Sequence, residues 1–495
     1  MADPAHDPLT KAAHAASTEL DDDDNLQRSI SGRLLFFYVL GDVLGSGIYV
    51  LIGAVAAAVG GAFWLAFLAG VTVATLTGLA YAELVTKHPQ AAGAALYVSK
   101  AFGKPFLTFI ITICMLSATF AAAGSLATGF SSYFAQVWEL PPPLLIAVIF
   151  VASLAVVNFI GITESVVANM VMTFVEVAGL AVVVLIGIVY VSRGEADFSV
   201  LVQFDTDGSP VFAVVAGVAL AFFAMTGFEN AANVAEETVD PSRTFPRALI
   251  GGMVGAGIIY VVVAMTAALT VPIDTLAESD AALLEVVKAD IIPVPVGVMT
   301  TIFAIVAMVA ITNTTLVALV TQSRILYGMA REDVVPGVFA KVHAARRSPW
   351  VALIFSALVV TTLLVVGHTL DAAGIGGSSG VVERLATVTV VFTLFIYALV
   401  IVAAFVLRRD ERPADTFRAP TALLGIGIVG NAGLLVYVVV DDPTSLLWCA
   451  GLLALGLLLY VAERAFGRRG ETRPPPGAAA RTSRDDERPT GEEHR

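Results

Sequence analysis

Two short glycine-containing segments interrupt stretches of sequence that are otherwise apolar enough to cross a membrane. Gly45-Ser46-Gly47 lies roughly 17 Å into the stretch 34–57, counted at the rise of an α-helix. Met225-Thr226-Gly227-Phe228 interrupts a second stretch, 211–235. In a hydrocarbon core about 30 Å thick, irregular backbone is tolerated only where protein covers it or where it lines a polar cavity. Membrane helices tolerate single glycines, but two interruptions in corresponding positions favour a binding site at mid-depth.

A broken helix exposes backbone groups that bind small polar molecules. If the first stretch runs outward, its break presents free N–H groups and the positive end of a helix dipole to an anion. The second stretch then runs inward, and its break presents carbonyl groups to an ammonium group. The two together complement a zwitterion, with the Ser46 hydroxyl as an extra donor and the phenylalanines either lining a gated pocket or packing against lipid. The predicted substrate contacts are Val43, Gly45, Ser46, Gly47, Ile48, Phe222, Phe223, Met225, Thr226 and Phe228.

Ionisable side chains deep in a membrane are functional candidates because burying a charge is costly. Glu176 lies roughly 18 Å into its apolar stretch, where burial disfavours the charged carboxyl and so favours proton exchange near neutral pH. We weigh that role equally with a structural hydrogen bond across helices, and place sodium coordination third. For Asp42 a structural role is favoured over a role in ion coupling. Thr314 and Thr315 are candidates for completing a cation site, although back-bonding within the helix is the commoner use of such hydroxyls.

Charged residues also cluster near the predicted inner ends of several stretches. Ion pairs that hold helix ends in place are the favoured interpretation, and an inner gate that opens and closes is the alternative. The inner-gate candidates are Glu83, Glu236, Glu237, Arg243 and Arg324.

No residue pattern typical of catalysis or metal binding accompanies these segments. The six histidines lie in tails, loops or the ends of apolar stretches, and both cysteines fall within such stretches. The sequence has no glycine-rich phosphate loop, which argues against ATP-driven pumping. We therefore expect no enzymatic activity, no cofactor, no bound metal and no nucleic-acid partner.

The chain that positions these residues has the composition of a membrane protein. Of its 495 residues, 57% are hydrophobic and 14% are charged, against about 25% charged in soluble domains. Hydropathy predicts an all-α protein with twelve spans in a lipid bilayer. They are 34–57, 61–86, 104–135, 142–161, 165–192, 211–235, 247–271, 294–328, 350–367, 385–407, 420–440 and 445–463.

The distribution of positive charge predicts the orientation of these spans. With the N-terminus inside, 25 of the 28 lysines and arginines lie in segments on the cytoplasmic side. Both termini are then cytoplasmic. The two breaks fall in spans 1 and 6, and an offset of five spans reverses helix direction, which is typical of transporters built from inverted repeats.

Four segments resemble the amino acid–polyamine–organocation (APC) superfamily of permeases. They are GDVLGSGIY at 41–49, YAELVTKHPQAAGAALYV at 81–98, FFAMTGFENAANVAEETVDPSRTFPRA at 222–248 and QSRILYGMAREDVVP at 322–336. The resemblance covers most of 30–465. It implies a 5+5 inverted repeat with discontinuous helices 1 and 6 and two extra C-terminal helices, and an α-amino acid as the substrate. Some proton-coupled members place a lysine where this sequence has Glu176, which is a departure from their pattern.

The resulting hypothesis is an amino acid permease of the plasma membrane that works by alternating access. It carries a neutral amino acid in symport with protons, and sodium is the less favoured coupling ion. The alternative is an exchanger of cationic amino acids or of amino acids and polyamines, and a channel or a non-transporting receptor is the alternative of another class. The predicted divisions are disordered tails at 1–30 and 466–495, five-helix repeats at 31–208 and 209–410, and helices 11 and 12 at 411–465.

Overall fold

The computed structural model consists of helices joined by short connections. It describes residues 30–89, 93–139, 141–160, 166–204, 209–235, 237–331, 334–344, 346, 348–375, 380–409 and 416–466. Both predicted tails, apart from Ile30 and Phe466, and the gate candidate Glu236 lie outside the described residues. Within those ranges the only extended pairing is an isolated parallel bridge between Ile30 and Thr238, which joins the start of span 1 to the segment after span 6.

Twelve spans are present, with breaks in spans 1 and 6. Eleven helices, or twelve counting the bent first pair as one span, are long and apolar enough to cross a membrane in the described part of the chain. The spans are Gly32–Leu44 with Gly47–Val59, Trp64–Lys87, Pro105–Ala135, Pro143–Ile160, Val166–Ser192, Pro210–Ala224 with Phe228–Val234, Pro241–Thr270, Val296–Arg331, Trp350–Ala372, Val381–Leu407, Thr421–Asp441 and Pro443–Phe466. The predicted all-α fold is confirmed.

The spans pack in two groups that meet around the breaks. Spans 6 and 7 each pack on spans 1 and 2, while span 3 packs on spans 4, 8 and 10. Span 10 is more buried than any other described span apart from span 1 and packs on spans 2, 3, 6 and 11, whereas spans 4 and 12 leave most of their surface outside the bundle. Span 11 packs on spans 2, 6 and 10, so it extends the core.

Proline begins several of these helices because a first-turn residue needs no intrahelical N–H bond. Pro105, Pro210 and Pro241 each occupy the first turn of a span.

We call the end of the bundle at which span 1 begins, at Gly32, the terminal end. Successive spans alternate in direction, so the ends of spans 2, 6, 8 and 10 also lie at the terminal end.

Candidate functional site

The break in span 1 separates a helix that ends at Leu44 from one that begins at Gly47. Gly45 has φ −39° and ψ −167°, which takes the backbone out of the helix, and the two halves meet at 43°. No side chain caps the second half, since Ser46 makes no cap hydrogen bond. The first N–H groups of that half have no helical acceptor, as an anion site at a helix N-terminus requires.

The break in span 6 ends its first half in a tight turn. The N–H groups of Met225 and Thr226 donate to the carbonyls of Phe222 and Phe223, at 3.0 and 3.2 Å. The Thr226 hydroxyl also donates to the Phe223 carbonyl, at 2.8 Å. Two of the carbonyls predicted to bind an ammonium group therefore already accept local bonds. Each carbonyl oxygen has a second lone pair, and the ammonium role stays a prediction.

The two breaks pack directly against each other, which explains a glycine in each. A Cβ atom on Gly47 would lie 2.5 Å from the Cα atom of Ala224. Gly227 has φ +117°, which side chains disfavour, and a Cβ atom there would lie 2.6 Å from the backbone oxygen of Asp42. Span 6 then continues as a 3₁₀ helix, Phe228–Val234. Asp42 thus meets the second break through its backbone.

Tyr260 of span 7 joins the two breaks, a role that the sequence analysis did not predict. Its hydroxyl donates to the carbonyl of Val43, before the first break, and lies 3.2 Å from the carbonyl of Ala224, at the second. The side chain is fully buried. A tyrosine in an apolar span signals a hydroxyl that needs a partner. The sequence gives no indication of which carbonyls supply it.

Ser46 is fully buried at the first break, and its hydroxyl has no hydrogen-bond partner among the described residues. Its N–H group donates to Thr314 Oγ1 of span 8 at 3.3 Å. Thr315 donates to the carbonyl of Ile311 at 2.7 Å, within its own helix. Thr314 therefore contacts the first break, whereas the Thr315 hydroxyl serves its own span. A cation role for either stays a prediction.

Glu176 of span 5 is fully buried beside span 8. Its Oε1 accepts from Asn313 Nδ2 at 3.3 Å, and its backbone carbonyl accepts from the Tyr49 hydroxyl at 2.9 Å. Across the described ranges, no basic side chain forms an ion pair with Glu176, and its Oε2 has no hydrogen-bond partner. Asn313 is followed by Thr314, so two adjacent residues of span 8 connect this carboxyl to the first break.

A cavity of about 1070 Å³ opens at the terminal end. Spans 2, 3, 6, 8 and 10 and the short helix Gly93–Phe102 form its wall. Arg324 lies near its mouth, and Glu229 lies at its inner end, next to the second break. The volume is at the upper limit of small-molecule pockets, so the cavity is large enough to serve as a path for a small solute.

Four aromatic side chains close the inner end of this cavity: Tyr81, Phe222, Phe228 and Tyr397. The Tyr397 ring centroid lies 5.1 Å from that of Phe228 and 6.0 Å from that of Phe222. The Tyr397 hydroxyl donates to Glu229 Oε2 at 2.5 Å, and the Gly227 N–H group donates to the same oxygen at 2.9 Å. Glu229 thus connects the second break to span 10.

None of the predicted substrate contacts lines the cavity, and two of them, Phe222 and Phe228, belong to the aromatic layer itself. All of them are buried except Thr226, which is half-buried. At the opposite end of the bundle, Tyr133 donates to the backbone carbonyl of Tyr49 at 2.9 Å, and the short helices Ile273–Glu278 and Ala282–Lys288 pack on the second half of span 1. The bundle is therefore open from the terminal end as far as the aromatic layer, and it is closed at the other end.

The four inner-gate candidates that the structure describes do not pair with one another. Glu83 pairs instead with Arg408, which the sequence analysis did not name, through two hydrogen bonds of 2.7 Å. These bonds raise the pKa of Arg408 above its ordinary value. Arg324 is exposed in the cavity wall, while Arg243 is exposed on the outer surface of span 7. Glu237 bonds through its carbonyl to the N–H group of Ile30. A gating role for these residues stays a prediction.

Two oppositely directed broken helices, packed together in a twelve-span bundle beside a cavity with one open end, define the architecture of a membrane transporter. Among the residues described, no three His, Cys, Asp or Glu side chains are grouped to hold a metal ion.

This chain belongs to the amino acid permease family, which it matches over residues 30–455. It is 28% identical to "Cationic amino acid transporter 9, chloroplastic" of Arabidopsis thaliana, over 65% of this chain and 58% of that protein. It is 26% identical to the methylthioribose transporter of Bacillus subtilis, over 88% of this chain and 93% of that protein. It is 25% identical to the branched-chain amino acid permease of the same species, over 78% of this chain and 82% of that protein.

Solved structures support the fold. A manganese transporter of Eremococcus coleocola superposes with a TM-score of 0.58, over 90% of this chain and 97% of that one. The sequences are only 13% identical, so this likeness shows the fold and nothing about the transported solute.

Proposed function

We propose that this protein is a secondary active transporter that carries an amino acid across the plasma membrane by alternating access. The observation that carries the proposal is the direct packing of the two helix breaks, with the unpartnered Ser46 hydroxyl at the first. One site at mid-depth, reached from one end of the bundle at a time, is what alternating access requires.

The terminal end faces the cytoplasm in this proposal. Segments expected at that end hold 25 of the 28 lysines and arginines, and positive residues favour the cytoplasmic side. Both termini are then cytoplasmic, and the cavity of about 1070 Å³ represents an inward-facing state in which the aromatic layer covers the site. The buried substrate contacts are consistent with a site that has closed after release.

The proposed substrate is a neutral amino acid. Free N–H groups at Gly47 and Ile48 suit a carboxylate, and the carbonyls before Thr226 suit an ammonium group. The relatives are named for cationic amino acids, for branched-chain amino acids and for methylthioribose, so their names do not select one cargo. The Glu229 carboxylate already accepts bonds from Tyr397 and Gly227, which leaves it less available to a cationic side chain.

A cationic amino acid or polyamine exchanger is the second candidate. The observation in its favour is again Glu229, because this carboxylate lines the cavity close to the second break. A cationic cargo should then stabilise the protein more than a neutral one, and Glu229→Gln should remove that preference.

Proton coupling through Glu176 is the proposed driving mechanism. A buried carboxylate without a cationic partner is costly, so the carboxyl gains by binding a proton or a cation. Its contact with Asn313, next to the residue that bonds Ser46, gives the proton a route to influence the first break.

The substrate assignment is tested by a panel of amino acids and amines read by thermal melting of the purified protein. A bound amino acid should raise the melting temperature of the wild type, and Ser46→Leu should abolish that shift and reduce uptake at least about tenfold. Ser153→Leu makes the same change on the exposed surface of span 4 and should retain both. Unaltered uptake by Ser46→Leu would overturn the assignment.

The coupling assignment is tested in proteoliposomes loaded against a proton gradient. The wild type should accumulate labelled substrate uphill, whereas Glu176→Gln should lose accumulation and keep exchange at equal concentrations. Glu463→Gln, at the end of span 12, is the matched control and should behave as wild type. Accumulation by Glu176→Gln would refute proton coupling through this residue, and flux that never saturates with substrate would indicate a channel.

A further inference from the structure

Three arginines at the terminal end border two neighbouring grooves on the outside of the bundle. Arg33 lies in the first turn of span 1, and Arg243 and Arg247 lie in the first two turns of span 7. The grooves have volumes of about 500 and 530 Å³. Arg243 and Arg247 border both grooves and are four residues apart, so they project from one face of span 7 as a ridge between them.

Apolar side chains form the floor of each groove. Phe36 and Phe37 line the groove between spans 1 and 7. Ile250 and Phe417 line the other groove, between span 7 and the segment that precedes span 11. Ile250 lies two turns further into the span than Arg243, so the groove runs from the charged end of the helix toward the depth of the hydrocarbon core.

The three arginines carry charge that the described protein does not neutralise. None of their side chains forms an ion pair or hydrogen bond within the described residues, and all three are exposed. Asp240 lines the groove beside span 1, and its carboxylate accepts from the Ser242 hydroxyl at 2.8 Å. Among the described residues that line the grooves, three arginines and one aspartate leave two positive charges. The general excess of positive residues on one side of a membrane does not explain why these border two apolar grooves.

We propose that these grooves bind one anionic phospholipid from the leaflet at the terminal end. The phosphate lies on the ridge of Arg243 and Arg247, with Arg33 at its edge, and the two acyl chains follow the two grooves. Guanidinium groups match phosphate oxygens in bidentate geometry, and basic pockets between spans are suited to lipid headgroups. A soluble phosphate would use the same guanidinium groups but would leave the aromatic floor uncovered. The site is separate from the cavity and does not depend on the proposed substrate.

The test measures lipid binding to the purified full-length protein in detergent, by melting temperature against lipid concentration. Dioleoylphosphatidylglycerol should give a saturable rise, and dioleoylphosphatidylcholine should not. The double variant Arg243→Gln/Arg247→Gln should raise the apparent Kd about 25-fold, from about fivefold for each arginine. Arg409→Gln removes an exposed arginine that borders neither groove and should leave Kd within about twofold.

Two further variants separate binding from folding. Arg243→Lys/Arg247→Lys keeps the charge and should bind more tightly than the glutamine pair. The single glutamine variants, each with an expected loss of about fivefold, decide the question if the double variant does not fold. The proposal is wrong if phosphatidylcholine acts as strongly as phosphatidylglycerol, if the glutamine variants keep the wild-type Kd, or if Arg409→Gln weakens binding equally. Stabilisation by glycerol phosphate at the same concentrations would instead indicate a soluble anion and would also overturn it.

Discussion

Replacing Tyr260 by phenylalanine tests whether the two helix breaks depend on one hydroxyl group. The ring of Tyr260 stays in the variant, so its packing against Phe67, at 5.8 Å between centroids, is preserved. What disappears is the donor shared by the carbonyls of Val43 and Ala224. Both carbonyls lie at the ends of half-helices, where the helix itself supplies no complete set of partners.

The expected size of the effect follows from the burial of these carbonyls. Leaving a buried acceptor unsatisfied costs about 1–3 kcal/mol, and single hydrogen bonds between membrane helices contribute up to about 1.7 kcal/mol. Because one hydroxyl donates to two carbonyls, we expect the free energy of unfolding to fall by about 1–2 kcal/mol. If that energy sets the packing of the breaks during transport, the uptake rate falls about five- to thirtyfold.

Tyr97→Phe is the matched control, because Tyr97 is also fully buried but its hydroxyl has no hydrogen-bond partner in the part of the chain that is described. Both variants remove one oxygen atom from a buried tyrosine. The melting temperature and the initial uptake rate should both fall for Tyr260→Phe. For Tyr97→Phe both should stay at or above the wild-type values. Equal behaviour of the two variants would refute the argument that Tyr260 joins the breaks.

Three further perturbations test separate contacts by thermal melting. Gly227→Ala strains the backbone at φ +117° and should destabilise the protein by about 1–3 kcal/mol, while Gly433→Ala, with nothing within 4 Å, should be neutral. Arg408→Gln leaves the nearly buried Glu83 carboxylate without its cation and should lower the free energy of unfolding by about 2–4 kcal/mol. Adding Glu83→Gln removes that unpaired charge and should restore part of the lost stability. Asp442→Ala removes the carboxylate that accepts from the N–H groups of Thr444 and Ser445 at the start of span 12. It should lower the free energy of unfolding by about 1 kcal/mol at neutral pH. Partial burial alone would raise the pKa of Asp442, but hydrogen bonds from Ser445 and Thr444 outweigh burial and lower that pKa. The stabilisation by the Asp442 carboxylate is therefore fully present above about pH 4 and is lost as the pH falls through the lowered pKa.

The sequence alone was sufficient to predict the twelve spans and the two breaks. Hydropathy placed each span within a turn or two of its observed ends, because a bilayer demands about twenty apolar residues per helix. The interruptions at Gly45-Ser46-Gly47 and Met225-Thr226-Gly227 were identifiable because lipid offers no hydrogen bonds to a broken backbone. The form of the second break was not: span 6 resumes as a 3₁₀ helix.

Only the tertiary structure determined which side chains meet at the breaks and at the terminal end. Thr314 lies 268 residues from Ser46, and Arg408 lies 325 residues from Glu83. These spans are apolar on nearly all faces, so hydrophobic periodicity does not indicate which face of a helix turns toward which neighbour. Each step along a helix rotates the side chain by about 100°, and packing against other spans fixes that rotation. For that reason the sequence located the breaks in depth, and the fold supplied Tyr260 and Tyr397 as their partners and distinguished Thr314, which contacts the first break, from Thr315, which does not.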